Sequence, residues 1–198
     1  MSTTRTRRAA VMAATVTAAL VLAACGDGDS ASGHESGHNS PSSSATSHNA
    51  QDVSFAQGMI PHHRQALEMA ELAAVRASSA EVKALAARIE KAQDPEIRTM
   101  SGWLKSWGEE VPGTEHTAHS GMPGMMDGAD MTKLGKASGE KFDALFLNLM
   151  VEHHEGAVDM AKTEQSKGRY TAATAMADDI VTAQAAEIEE MDKLLGDG

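Results

Sequence analysis

The chain has 198 residues and a formal net charge of −11 at pH 7, with 17 Lys and Arg against 28 Asp and Glu. So acidic a surface repels phosphate backbones, which argues against nucleic acid as a partner. A single Cys leaves no disulfide framework and no thiolate metal cage, and aromatics at 3% with no alternating β-branched run argue against a sheet.

The first element is a processing segment. Arg5, Arg7 and Arg8 form a basic start, followed by an apolar, Ala-rich run from Ala9 to Ala24. That run is short for a membrane span and suits a secretory signal over residues 1–24. It ends in "LAAC", Leu22 to Cys25, which resembles the lipobox of bacterial lipoproteins. The resemblance implies cleavage before Cys25 and lipidation, such as palmitate, on its sulfur. The mature chain is then expected on the extracytoplasmic face of a cell membrane, held by its lipid anchor. Loss of three Arg and no acid takes the charge from −11 to −14.

Residues 25–50 follow as a Ser/Gly-rich tether with almost no apolar side chains to bury. Its His34, His38 and His48 read as tether composition. From residue 51 helix formers dominate. A first helix is expected over about Asp52–Ala77. A second starts at a capping box of Ser78 with Glu81 and ends near Trp107 before Gly108. A third covers about Ser138–Lys167 and a fourth about Thr171–Leu195, stopped by Gly168 and Gly196. Pro61 and Pro95 fall inside the first two helices and should kink them.

The two halves superimpose at an ungapped offset of 91. Phe55 maps to Phe146, Met59 to Met150, His62 to His153, His63 to His154, Met69 to Met160, Ile89 to Ile180, Gln93 to Gln184, Glu96 to Glu187 and Met100 to Met191. This is a duplicated helical hairpin, with repeats at about 51–107 and 138–198. Two hairpins with unburied apolar stripes make an all-α, four-helix bundle with a pseudo-two-fold axis. The 108–137 connection is a long loop crowded with His116, His119, Met122, Met125, Met126 and Met131.

Phe55, Met59, His62, Ala66 and Met69 are spaced 4, 3, 4, 3 and so form one helical seam; the same holds from Phe146 to Met160. His62 and His153 sit mid-seam, with His63 and His154 at its edge. Gln93 and Glu96, and their copies Gln184 and Glu187, share seams on the partner helices and suit a supporting shell around the imidazoles. Thioethers are soft ligands that suit Cu(I), and imidazole suits both copper oxidation states. The chain holds 13 Met against 3 Phe, 2 Trp and 1 Tyr. A ferritin-type di-iron centre would need Glu-x-x-His pairs, and these are missing. Haem on His and Met would not explain the duplication. The plain alternative is that Met fills the core and that His–Glu pairs fix register. Met69, Met160, Met100 and Met191 taken singly favour that alternative, whereas the doubled His pairs and the Met/His-rich loop favour ligation.

The doubled pattern F-x3-M-x2-HH-x2-A-x2-MA, at Phe55–Ala70 and Phe146–Ala161, together with the loop "GMPGMMDGADMTKL", resembles the bacterial domain-of-unknown-function family 305. The resemblance covers about residues 51–196. It implies a ferritin-like four-helix bundle of the kind found in CopM-type envelope copper-binding proteins. Carried over, the metal positions are Met59, His62, His63 and Met69, then Met150, His153, His154 and Met160, with the loop Met residues behind them. No nucleophile–base–orienter set and no phosphate-cradling loop are present, so a binding role in copper handling or metal tolerance is expected rather than an enzyme. The alternatives are a scaffold bundle with structural His/Glu layers and a ferritin-like metal oxidase. The expected partners are a metal ion and a membrane, with homo-oligomerisation or a copper-handling protein left open.

The lipobox reading is checked by Cys25→Ala. The variant should accumulate unprocessed or be released, with no mature lipidated species in membranes by fractionation and mass spectrometry; a lipidated mature variant would refute the anchor.

Overall fold

The structure is a computed structural model that describes residues 47–113 and 122–196. Among them every regular element is a helix: α1 (Ala50–Arg76), α2 (Ala80–Trp107), α3 (Gly128–Lys136), α4 (Glu140–Lys167) and α5 (Thr171–Gly196). The expected signal segment, Cys25, most of the tether, and His116 and His119 lie outside the described residues. No described helix is long and apolar enough to cross a membrane.

The architecture is the expected all-α bundle of two hairpins. α1 packs on α2, α4 packs on α5, and the hairpins meet mainly through α1 against α4. Local chemistry sets the ends. Asn49 caps α1, its side chain accepting from Gln51 and Asp52 N–H, while Asp52 accepts from the Asn49 N–H. Just before this cap, His48 stacks on Trp107 at 4.4 Å. The N-cap of α2 is Ser79 rather than Ser78: its hydroxyl accepts from the N–H groups of Glu81 and Val82. α2 ends at Gly108, whose left-handed backbone closes the last turn. Both α1 and α2 continue as helices through Pro61 and Pro95. The 108–137 connection is not all loop, because Asp127 caps the short helix α3, which buries Leu134.

The core divides into two apolar clusters. One contains Ala66, Met69, Ile89, Phe146, Met150 and Met191. The other contains Phe55, Met59, Met100, Ala157 and Ile180. The offset of 91 turns most of one set into the other, so the pseudo-two-fold axis passes between the clusters. His62 and His153 are the seam residues left between them.

Ser78 has a different partner from the one its sequence position suggests. Asp143 of α4 accepts from the backbone N–H groups of Ser78 and Ser79, and from the Ser78 hydroxyl. The copy obeys the same offset: Asp52 of α1 accepts from Arg169 and Tyr170 N–H at 2.9 Å each. Each hairpin thus reaches across to hold the turn of the other. Both carboxylates are buried, so the backbone donors offset the loss of water. The clasps differ in one respect. Buried Glu164 lies against Asp52, while its equivalent beside Asp143 is Ala73. Burial, and then the neighbouring Asp52, push Glu164 up to about 8, while Asp52, although its own burial acts to raise it, is held low by the neighbouring Glu164 and by backbone N–H groups.

A raised acid pKa means that the folded state keeps a proton the unfolded chain has lost. The stability linked to Glu164 is therefore full below about pH 4.5 and is lost as pH rises through about 8. In urea unfolding, wild type should weaken across that window more than Glu164→Gln, whose amide carries no charge; identical slopes would refute the raised Glu164 pKa.

Candidate metal centre

The helical seams converge as their spacing requires. His62 and His153 meet across the α1–α4 contact with ring centroids 3.8 Å apart and planes inclined by 45°. All four histidines of the doubled pairs are fully buried, so His63 and His154 are interior rather than edge residues. His63 Nε2 lies 2.6 Å from Glu96 Oε2, and His154 Nε2 lies 2.8 Å from Glu187 Oε2. The two pairs are related by the offset of 91, and each carboxylate keeps partial solvent access at 24% and 18% side-chain exposure. A carboxylate only accepts, so Nε2 carries the hydrogen and leaves Nδ1 as the nitrogen that could ligate.

His62 repeats the arrangement with a carbonyl, its Nε2 donating to Pro123 O at 3.2 Å. Nδ1 of His62, His63 and His154, and both ring nitrogens of His153, are buried without a hydrogen-bond partner. The Gln93 side-chain amide and Gln184 Oε1 are in the same condition. Burial first, and neighbouring His63 next, lower the His62 pKa to about 3; burial and His62 hold His153 well below its ordinary value. Both rings are neutral at physiological pH, the form in which imidazole ligates.

Pro123 belongs to a strap crossing the α1–α4 groove. Gln65 pins it by donating to Met126 O and accepting from Met126 N–H at 2.9 and 2.7 Å. Gly124 has a positive φ of 73°, and a Cβ there would stand 2.6 Å from Glu152 O. A Cβ on Gly156 would stand 2.1 Å from Pro123 O, so α4 admits the strap only because Gly156 has no side chain.

The remaining candidates divide. Met59 and Met150 are fully buried one helical turn from His62 and His153, each in a different apolar cluster. Met69 and Met126 pack inside the first cluster, and Met160 lies at the margin of the second. Met122 and Met125 are half-buried on the strap. Among the described residues, no three His, Cys, Asp or Glu side chains are placed to hold an ion. The donor set therefore suits a metal content with two imidazoles or with thioethers. Cu(I) meets that condition: it is soft and tolerates low coordination numbers. The buried nitrogens without a protein hydrogen-bond partner suit such a fit, because a buried lone pair left unpaired costs stability. Sequence spacing missed Asp52, Asp143 and Glu164, although the first two share the offset of 91.

Residues 52–195 match the family model described as domain of unknown function (DUF305). The chain belongs to the DUF305 family. A candidate secreted DUF305 protein from Streptomyces coelicolor is 35% identical, with 74% of this chain and 91% of that chain covered at a TM-score of 0.68. A DUF305 fragment from Deinococcus radiodurans is 32% identical, with 76% and 98% covered and a TM-score of 0.69. CopM in its Cu(I)-bound form is 33% identical, with 74% and 96% covered and a TM-score of 0.64; CopM has also been solved with Cu(II) and with Ag bound. No curated protein matches.

The Glu–His pairs make a direct prediction. Glu96→Ala leaves a buried N–H without its acceptor and should cost about 1–3 kcal/mol of apo stability. Imidazole 15N shifts should also show His63 losing its fixed Nε2–H tautomer, while His154 keeps its own. An unchanged His63 tautomer would mean that Glu96 does not set it.

Proposed function

We propose that this DUF305 protein binds copper outside the cytoplasm, held to a membrane by lipid on Cys25, and serves copper handling or metal tolerance rather than catalysis. The observation that carries the reading is the His62–His153 contact: two neutral, fully buried imidazoles on the pseudo-two-fold axis with unpartnered nitrogens. One histidine is half a site, and the duplicated hairpin supplies the other half. His62 and His153 would hold the ion, with Met59 and Met150 offering thioethers one turn away. His63 and His154 would present Nδ1, their rings oriented by Glu96 and Glu187, and Gln93 and Gln184 would line the same interior. The CopM structures with Cu(I), Cu(II) and Ag support this choice of metal at one-third identity. The secretory start and lipobox support the location, as does the candidate secreted relative.

A scaffold reading, in which the histidines only set register, makes the opposite prediction about metal. Copper titration of His62→Ala, His153→Ala and the double variant separates the two. Each single variant should lose bound copper, and the double should lose little more because both residues serve one ion. Full copper binding by both singles, with reduced thermal stability alone, would reduce the layer to a structural one.

A further inference from the structure

The polar aromatics gather at one end of the bundle. The chain has 2 Trp and 1 Tyr, and all of them stand where α2 ends and the α4–α5 turn begins. The Trp103 and Trp107 ring centroids lie 6.2 Å apart, and Tyr170 meets the two rings edge-on at 5.5 and 5.2 Å. His48 stacks on Trp107, and the Asn49 side chain donates to Lys167 O at 2.9 Å, so the start of α1 belongs to the same end. The Phe residues are buried, whereas Trp103, Trp107 and Tyr170 remain half-open to solvent. The repeat does not require these rings. The equivalents of Trp103 and Tyr170 are Leu194 and Ser79, and Leu194 packs on the first apolar cluster as Trp103 packs on the second.

Cations surround the rings. Lys105 lies in the last turn of α2, Lys167 in the last turn of α4 and Arg169 in the turn beyond, and all three are exposed. Among the described residues none of the three side chains has an ion-pair partner. The acids of this end are withdrawn. Asp52 and Glu164 are buried. Gly108 turns the chain back with its positive φ of 77°, and Gln57 then holds Glu110 O at 3.0 Å, about two turns into α1. That leaves Glu109 beside three cations, in a chain whose formal net charge is −11.

The chain also runs toward Cys25 from this end. Cys25 precedes Ser47 by 22 residues, a reach of at most about 75 Å, and the opposite end of α1 stands about 40 Å further on. We propose that the aromatic end docks on the anionic surface of the bilayer that holds the lipid on Cys25, with Trp103, Trp107 and Tyr170 among the headgroups and Lys105, Lys167 and Arg169 on their phosphates. The proposal rests on the lipid-anchor reading. Indole and phenol rings have an apolar body and a polar tip, and so favour the boundary of a bilayer. The negative surface potential attracts the three cations and repels the acidic remainder of the chain, which selects this end. A lipid alone leaves the bundle free to turn. A docked end fixes it, with the histidine layer about 18 Å along α1 from the membrane face. The bland alternative is that the rings only roof the second apolar cluster.

The test uses the mature lipidated chain with vesicles of phosphatidylglycerol and phosphatidylcholine, made with ordinary or brominated acyl chains. Trp emission reports on this end alone, because the chain holds no other Trp. The protein should sediment with both kinds of vesicle, and brominated lipid should quench its emission. Lys105→Gln, Lys167→Gln and Arg169→Gln change exposed side chains, and each should lower the ratio of docked to undocked protein about fivefold. The triple variant should therefore still sediment through its lipid while its emission recovers. Sedimentation with equal emission in the two kinds of vesicle would overturn the docking and leave the lipid anchor intact. Quenching that persists in the triple variant, or in vesicles of phosphatidylcholine alone, would overturn recognition of the anionic surface. If the mature chain carries no lipid and stays in solution, the anchor reading fails and the docking falls with it.

Discussion

Everything in this bundle is arranged around four imidazoles buried where α1 crosses α4. Buried polar groups cost stability unless they are paired, and these are paired on one nitrogen at most. The protein meets that cost away from the centre. Apolar clusters lie on both sides of the layer, and at the far ends Asp52 and Asp143 tie each hairpin to the other's turn. Those clasps use backbone donors that would otherwise be unsatisfied at helix starts, so they repair two deficits at once. A bundle fixed at its ends can tolerate a polar middle.

The duplication explains why the layer is where it is. An antiparallel contact between equivalent helices brings equivalent residues together only at the pseudo-two-fold axis, and every other residue meets a different partner. His62 and His153 occupy that position, so a single ancestral histidine suffices to make a pair. His63 and His154, one residue further along, turn instead toward α2 and α5, where Glu96 and Glu187 wait. Neighbouring residues on one helix thus serve two roles, because a step of about 100° changes the helix they face.

Much of this was legible in the sequence for a physical reason. Seam spacing is a local property, and an ungapped repeat tests it twice, so the helices, the hairpin pairing and the mid-seam histidines followed from residue positions. The buried position of His63 and His154 was less clear, because spacing alone does not tell the edge of a seam from its floor. The Ser79 cap differed by one residue because Ser78 and Ser79 are equally good caps locally, and a carboxylate 65 residues away claims Ser78. The clasps left no periodic trace, since each joins one side chain to a turn on the other hairpin. The strap and α3 were hidden for a similar reason: Gly and Met in a connecting segment define no face until something packs on them.

The strap also accounts for where the symmetry stops. A linker joining two copies exists only once, so any surface it covers must differ between the halves. Gly156 faces Pro123 where the first half has Gln65, and Gln65 instead binds the strap at Met126. Gly58 leaves room for the sulfurs of Met122 and Met160 where the second half has Leu149. These two exceptions to the offset lie under or beside the same few residues, 122–126, whereas the Glu164–Ala73 difference lies at the Asp52 clasp. The repeat builds a symmetric interior, and the single linker gives it one distinct face. The interior of a perfect dimer of hairpins has no preferred side along its axis. Here the strap supplies one, and Gly156, where the first half has Gln65, makes room for it.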